Sequence, residues 1–236
     1  MRAQPLALLI ATSLVLIPVA AYAQGTHGST KGSTSTSPSF NSQPFEQTAN
    51  PPRRYHLSLY YAKWAEVNLT SIPRRLLTLD IPLFESYFVS LGGAYVLLPD
   101  FTIPLGLFAL SGCDLEMDAQ LLRHFGLQSH IESTLALVFR TGDINFWDVL
   151  SLNFAMGEGF SLASSRPAYE KGPSGRRGFD SRRLQNHLLF ELEFTRPSIP
   201  FAHVVIRLHH RSGIYGVISP QRTGSNFLGI GFRLDG

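Results

Sequence analysis

The sequence predicts an all-β protein, an eight-stranded antiparallel transmembrane β-barrel, and three observations support this. Segments of about ten residues alternate between apolar and polar side chains, as barrel strands do. Export is indicated by the amino-terminal segment, and no later run of eighteen apolar residues could form a helical span. Finally, the polar positions carry charges that would be costly inside a soluble sandwich. These are Glu116, Asp118, Glu132, Arg140, Glu191, Glu193, Arg207 and Arg233.

Residues 1–23 are predicted to be a cleaved signal peptide, with Arg2 before an apolar run and a small-x-small cleavage site at Ala21-Tyr22-Ala23. Residues 24–53 are rich in Ser, Thr and Gly and are predicted to be a disordered linker, which leaves residues 54–236 for the barrel. The single cysteine, Cys113, excludes an intramolecular disulfide. Without Arg2, 19 of the 20 basic residues remain against 17 acidic ones, which argues against a nucleic-acid partner.

Eight segments show the alternation, and an even number is typical of bacterial barrels. They are His56–Asn68, Glu85–Leu97, Asp114–Phe125, His130–Arg140, Leu150–Ala163, Gln185–Thr195, Phe201–Tyr215 and Ser225–Leu234. Apolar side chains are expected to face lipid and charged ones the interior; a soluble sandwich would reverse this arrangement. Aromatic residues near the strand ends, expected at the membrane interface, are Tyr60, Tyr61, Trp64, Tyr87, Tyr95 and Phe125.

Two connections stand out by length. With periplasmic termini, the connections after strands one, three, five and seven lie outside, and the longest, Ser165–Arg183, follows strand five. Its six basic and two acidic residues fit either a solvated loop or contacts to lipopolysaccharide phosphates. The candidates for such contacts are Arg176, Arg177, Arg182 and Arg183. The segment Leu98–Gly112 is too long for a periplasmic turn; it contains a helical turn or extends strands two and three.

His210 and Ser212 are two residues apart near the end of strand seven, so they share one face at a separation of about 7 Å. That face is the lipid-facing one. A histidine within reach of a serine is the minimum for a base-activated nucleophile. The same pair is also common at polar strand ends, so the pattern alone has a high false-positive rate.

Four segments carry a resemblance to a known family. They are Arg123-His124-Phe125-Gly126, Met156-Gly157-Glu158-Gly159, Leu208–Gly213 and Gly224–Gly231. With the signal peptide and eight strands, the chain resembles the PagL-type lipid A 3-O-deacylases, acyloxyacyl hydrolase-like barrels of the Gram-negative outer membrane. The resemblance implies that lipid A of the outer leaflet is the partner. It also implies that Ser212 is the nucleophile, that His210 is its base and that the Gly213 backbone helps to hold the oxyanion.

The chain departs from this family at two positions. The family has a glutamate at the start of the last strand that orients the histidine, whereas residues 223–226 here contain no carboxylate. The residue after the serine is typically Asn in the family and is Gly213 here. Asn226, through its side-chain oxygen, and Glu158 are the alternative orienters. Two functions therefore remain open, a lipid A deacylase-like esterase and a non-catalytic barrel with a structural or surface-binding role.

No metal or other cofactor is predicted from the sequence. A zinc site built from His124, His130, Glu132 and His203 is conceivable, but the spacing of these residues matches no familiar ligand pattern.

Overall fold

The computed structural model describes residues 54–147, 149–171 and 174–236, apart from the side chain of Tyr215. The predicted signal peptide and the whole of the predicted linker lie outside the described residues. The strands are β1 (Tyr55–Ala65), β2 (Leu83–Leu105), β3 (Phe108–Gly126), β4 (Ile131–Arg140), β5 (Ile144–Phe146), β6 (Leu150–Ala163), β7 (Leu184–Thr195), β8 (Ala202–Ser212) and β9 (Gly224–Asp235). One short helix, α1 (Ile72–Leu77), lies between β1 and β2, and 3-10 turns occupy Leu69–Ser71 and Ile214–Gly216.

Eight of the strands form a closed antiparallel ring. Each pairs with its sequence neighbour, β4 pairs with β6, and β1 pairs with β9 to close the barrel. The remaining strand, β5, is three residues long and pairs only with β6, so it lies outside the ring. The predicted eight-stranded antiparallel barrel is thus confirmed, and β5 is an addition that the alternation did not indicate.

The connection that the sequence left open, Leu98–Gly112, extends β2 and β3. These two strands are 23 and 19 residues long and stay paired as far as Leu105 and Phe108. Their register shifts between Val96 and Ile103, where Asp100 adopts a positive φ of 49°. Irregular pairing of this kind bends a hairpin, and here it occurs where the two strands continue past the ends of their neighbours.

The two faces of the wall have the predicted chemistry. Leu135, Ile206 and Ile230 are exposed on the outside, with 50%, 37% and 54% of their surface accessible. All eight charged residues predicted to face inward are buried. Because successive side chains of a strand point to opposite faces, the register of a strand determines which residues face outward and which face inward. In a closed ring, the backbone N–H and C=O groups of the strands pair with one another without water, as a bilayer requires. The apolar exterior suits the same environment. Among the described residues, no helix is long and apolar enough to cross a membrane.

The aromatic residues divide between the two faces. Tyr61, Tyr87 and Phe125 pack in a row on the outside, with ring centroids 5.9 and 5.6 Å apart, and Tyr55 packs on Tyr95 at the opposite end. The expectation that Tyr60 and Trp64 lie at the interface is wrong: both side chains are buried in the barrel. Their even-numbered positions on β1 share the inward parity of buried Ala62.

Charged groups fill one end of the interior. Arg140 donates to Glu116, Glu191 and Glu193 at 3.0, 2.8 and 3.1 Å. In the same network, Arg233 pairs with Glu116 and Glu193, and Arg207 pairs with Asp118 and Glu191. Glu191 and Glu193 share the inward face as a pair of catalytic carboxylates would, but both are engaged in these interior salt bridges.

Nearer the other end, an apolar layer is followed by a histidine-rich one. The apolar layer is Tyr60, Ala62, Trp64, Phe88, Leu122, Val205 and Phe227. Phe88 packs against His124 and His209 at ring-centroid distances of 5.3 and 5.2 Å, so the two layers are in contact. The barrel is a packed structure in this part of the chain, as small barrels of eight strands are.

Replacing Leu135 by Arg tests the assignment of the two faces. Leu135 lies in the middle of β4 on the apolar exterior. If that face meets hydrocarbon, the variant is expected to lose about 2–4 kcal/mol of unfolding free energy, measured by denaturant titration in lipid vesicles. The control is Gln221→Arg, at an exposed position outside the strands, which should change stability by less than about 0.5 kcal/mol. Equal effects of the two substitutions would contradict the membrane assignment.

Candidate active site at the loop rim

Four connections meet at one end of the barrel, here called the loop rim: residues 66–82, 127–130, 164–183 and 213–223. They follow β1, β3, β6 and β8, which are the predicted first, third, fifth and seventh strands. The predicted catalytic residues lie at this rim, where β8 ends at Ser212 and β9 begins at Gly224. The register places His210 opposite Asn226 and Ser212 opposite Gly224.

His210 is held by Asn226, one of the two candidate orienters. The His210 Nδ1 atom lies 2.6 Å from Asn226 Oδ1, and Asn226 Nδ2 donates to the carbonyl oxygen of Val67 at 2.6 Å. Because a carbonyl only accepts, the second contact fixes the amide with Oδ1 towards the ring. His210 Nδ1 then carries the proton and donates it, which leaves the lone pair on Nε2. This is the tautomer that a general base needs.

Ser212 lies two residues beyond His210 and is half-buried. Its hydroxyl forms no hydrogen bond with His210 or with any other described group, although Asn186 of β7 lies opposite it in the register. The structure therefore brings the predicted base, His210, into contact with the candidate orienter, Asn226. Ser212 lies on the same strand as His210 but is not hydrogen-bonded to it. Catalytic hydrogen bonds are often long in ligand-free enzymes and shorten when substrate binds.

The backbone of Gly213, predicted to hold the oxyanion, is engaged elsewhere. Its N–H donates to the carbonyl oxygen of Thr223 at 3.2 Å, and its own carbonyl accepts from Gly216, Ile218 and Ser219. A Cβ at this position would come within 2.3 Å of the Ser219 carbonyl oxygen, so only glycine fits the turn. The Gly213 N–H becomes available to a substrate only if its bond to Thr223 opens.

Glu158, the other candidate orienter, does not reach His210. It pairs with Leu188 of β7, and Leu188 in turn pairs with His210, so a whole strand separates the two. The Glu158 side chain is exposed on the outer face and accepts a hydrogen bond from Asn186 Nδ2 at 3.3 Å.

Of the four arginines predicted to contact phosphate, Arg177 is engaged by a carboxylate, and Arg183 is exposed but donates one hydrogen bond to the protein. Arg177 donates to both Glu66 oxygens at 3.1 Å and stacks on Tyr169 at 3.7 Å. Arg183 Nε donates to the carbonyl oxygen of Ala163. Arg176 lies over the ring of Phe179, and both Arg176 and Arg182 are exposed. The loop is thus partly a structural element.

The described parts of the connection after β6, residues 164–171 and 174–183, fold onto the mouth of the barrel. Glu170 is fully buried and accepts hydrogen bonds from Ser181, Gln185 and Ser225 at 2.7, 2.8 and 3.0 Å. Next to it, Tyr169 packs edge-on against Trp64 with ring centroids 5.4 Å apart. A carboxylate in this position is stabilised only while the loop stays closed, because its partners come from the loop, β7 and β9.

Glu66 holds the outside of the same loop. The pKa of the Glu66 carboxyl is lowered, first by the hydrogen bond from Lys171 and then by that from Arg177. A lowered pKa stabilises the closed loop fully above the ordinary glutamate pKa, and this stabilisation is lost as the pH falls through the lowered value.

Glu66→Gln is therefore expected to loosen the loop at pH 7. Exposed pairs contribute about 0.2–1 kcal/mol each, and Glu66 makes two, so tryptic cleavage after Arg176 or Arg177 should be about two to thirty times faster. Glu85→Gln, which removes only an exposed contact to Lys63, is the control and should not change cleavage. A label on the loop should show that the difference from wild type disappears as the pH falls through the lowered pKa of Glu66. Unchanged cleavage would contradict the clamp.

A cleft of about 340 Å³ opens beside Asn226 at the loop rim. Its walls include the basic side chains Arg75, Lys171 and Arg222, together with Glu66. Sequence reasoning missed Arg75 and Arg222 because they come from separate connections, and a charge count within one loop does not bring them together. Asn226, the partner of His210, lines this cleft.

Comparisons with known proteins support the fold alone. No family model and no curated protein matches the sequence. Among solved structures, the outer membrane enzyme PagL is similar, with a TM-score of 0.51 and 12% identity, covering 76% of this chain and 98% of PagL. Neisserial surface protein A aligns with a TM-score of 0.42 and 7% identity over 77% of this chain and 96% of its own. At 12% identity, the first likeness indicates a shared barrel and says nothing of activity.

Proposed function

We propose that this protein is a lipid A deacylase-like esterase of the Gram-negative outer membrane, exported by a cleaved signal peptide. Ser212 is the proposed nucleophile, His210 its general base and Asn226 a positioning residue. The observation that carries the proposal is the hydrogen bond from His210 Nδ1 to Asn226 Oδ1, which leaves the Nε2 lone pair free on the face that carries Ser212. Asn plays the same orienting part in Cys-His-Asn proteases.

The proposed reaction is acyl transfer to the serine. His210 Nε2 takes the Ser212 proton while the hydroxyl oxygen attacks the ester carbonyl carbon of the 3-linked chain. The tetrahedral intermediate collapses to an acyl-serine, and His210 returns the proton to the departing sugar oxygen. Water, deprotonated by His210, then releases the fatty acid. Stabilisation of the oxyanion by Gly213 requires its N–H to leave the Thr223 carbonyl.

The surroundings fit a lipid with an anionic headgroup. Below His210, the outward side chains of β8 are apolar and exposed at Val204 and Ile206, where acyl chains of the outer leaflet would lie. Above, the walls of the cleft beside Asn226 carry Arg222, together with Arg75 and Lys171, whose ion pairs with Asp80 and Glu66 a phosphate group would replace. Arg176, Arg182 and Arg183 are exposed for further contacts, whereas Arg177 is engaged by Glu66.

A non-catalytic barrel with a structural or surface-binding role is the second candidate. The observation that favours it is the missing carboxylate: the described partner of His210 is an amide, and Ser212 is not hydrogen-bonded to His210. Lipid A from an outer membrane that expresses the protein separates the two functions. The esterase should remove one hydroxyacyl chain, seen by mass spectrometry, and unchanged lipid A at high expression would favour the second function.

Substitution of Asn226 tests its positioning role. Asn226→Leu removes the acceptor for His210 Nδ1 and should lower kcat on a micellar ester by about 10²–10⁴-fold, as loss of a tautomer-fixing partner does. KM should hardly change, because Asn226 is not proposed to bind the acyl chain. Asn226→Asp keeps an acceptor oxygen and should restore most of kcat. Equal losses in the Leu and Asp variants would indicate a purely structural residue.

A further inference from the structure

The hairpin that joins β3 and β4 brings two histidines and a glutamate together inside the barrel at the loop rim. The backbone N–H of His124 donates to the carbonyl oxygen of His130 at 2.9 Å, so the two residues close the hairpin face to face. Their rings stack with centroids 4.1 Å apart. Glu132 follows His130 by two residues and therefore shares its face. All three side chains are buried, at 0%, 2% and 0% exposure.

The spacing of these three groups is close to that of metal ligands. One nitrogen of each histidine and one Glu132 oxygen all lie within 4.8 Å of one another. In the metal-free structure, His124 Nε2 is 2.9 Å from Glu132 Oε2. Ligand atoms bound to one zinc at 2.0–2.1 Å are about 3.3 Å apart. The three groups therefore need to approach one another by at most about 1.5 Å to hold an ion.

Several polar atoms here have no partner within the described structure. His130 Nε2 and Gln128 Oε1 are buried and make no hydrogen bond. A buried polar atom without a partner destabilises the fold unless another group, such as an ion, satisfies it. Gln128 Nε2 lies 3.4 Å from His124 Nδ1. If the Gln128 amide is turned over, Oε1 accepts from Nδ1–H and the Nε2 lone pair of His124 becomes free for a metal. This is the outer hydrogen bond that metal-bound histidines generally make.

The charge nearby leaves room for a cation. Arg211 is the cation facing the cluster, with Nη1 3.5 Å from Glu132 Oε2. The same guanidinium lies 3.2 Å from Glu170, which is also fully buried. Two carboxylates therefore face one guanidinium. A divalent ion would take up the remaining negative charge, and among the described residues no second arginine or lysine forms an ion pair with Glu132 or Glu170.

We propose that the barrel binds one Zn²⁺ inside the loop rim through His124, His130 and Glu132. Two imidazole nitrogens with one carboxylate oxygen suit zinc, and a site with three protein ligands leaves the fourth tetrahedral position to water. The ion joins β3 to β4 across the hairpin at the loop rim. This inference does not depend on the esterase proposal.

The test uses the barrel refolded in detergent without a histidine tag and stripped with a chelator. Titration with ZnCl₂ against a chromophoric competitor should give one equivalent bound per chain. Cobalt substitution should give the intense visible bands of a tetrahedral site, and X-ray absorption of the zinc form should show nitrogen and oxygen neighbours near 2.0–2.1 Å.

Variants locate the ion. His130→Ala should weaken zinc binding at least tenfold. His130→Gln keeps a polar side chain of similar size and should weaken binding to the same extent, so it replaces the alanine variant if that variant fails to refold. His203→Gln is the control: its ring lies in the interior beside Glu193 and Asp235, and zinc affinity should be unchanged. Absence of stoichiometric binding, or equal losses in the His130 and His203 variants, would overturn the proposal. Zinc binding in an inactive protein would leave it intact.

Discussion

Ser212→Ala is expected to abolish removal of the acyl chain, leaving lipid A with its full mass. In serine hydrolases, loss of the nucleophile costs about 10⁶-fold in kcat, and the residual rate comes from binding and the oxyanion site. The esterase proposed here has an amide in place of the orienting carboxylate, so its wild-type rate is expected to be lower than that of an enzyme with a complete triad. The variant should therefore fall to background in the same assay.

Ser133→Ala is the matched control for this experiment. Ser133 also faces outward near the loop rim, on β4, and is exposed. Its loss should leave the lipid A profile of the wild type. Both variants must be present in the membrane at the wild-type level and must run as folded, heat-modifiable bands. Deacylation that persists in Ser212→Ala would eliminate the serine mechanism, and deacylation absent from the wild type as well would favour the non-catalytic barrel.

Much of the fold could be predicted because the side-chain period of a strand is local information. Glu191 and Leu192 lie on opposite faces whatever the rest of the chain does. The inward position of Tyr60 and Trp64 follows from the same parity, because position in the strand, and not aromatic character, decides which face a side chain occupies. Strand β5 has only three residues, which are too few to show an alternating pattern. The length of the β2–β3 hairpin depends on pairing beyond the ring, which periodicity alone does not determine.

Parts of the candidate site come from distant segments of the chain, and these parts could not be predicted from the sequence. His210 and Ser212 are neighbours on one strand, and Asn226 lies across a single hairpin, so the sequence could propose all three. The basic cleft joins Arg75, Lys171 and Arg222 from three connections. His209 reaches Glu132 across the interior from β8 to β4. Contacts of this kind require knowledge of how the ring closes, which no spacing within the sequence records.

The charged network at the other end of the barrel should be the most sensitive part of the molecule to a single substitution. Arg140→Met keeps the length of the side chain and removes its charge. It leaves Glu116, Glu191 and Glu193 without their shared partner in a buried site. Breaking one side of a buried pair costs about 3–5 kcal/mol. The variant should lose at least that much unfolding free energy, measured by denaturant titration in lipid vesicles.

Charge and packing contribute differently to this loss, and a second substitution separates them. If the uncompensated carboxylates cause the loss, adding Glu193→Gln to Arg140→Met should recover part of the stability, with a coupling of about 0.5–3 kcal/mol between the two sites. Arg196→Met, at an exposed position after β7, should change stability by less than about 0.5 kcal/mol. A double variant that loses the sum of both single losses would assign the effect to packing. In that case, apolar side chains of the same volume should stabilise the interior as well as the buried salt bridges do.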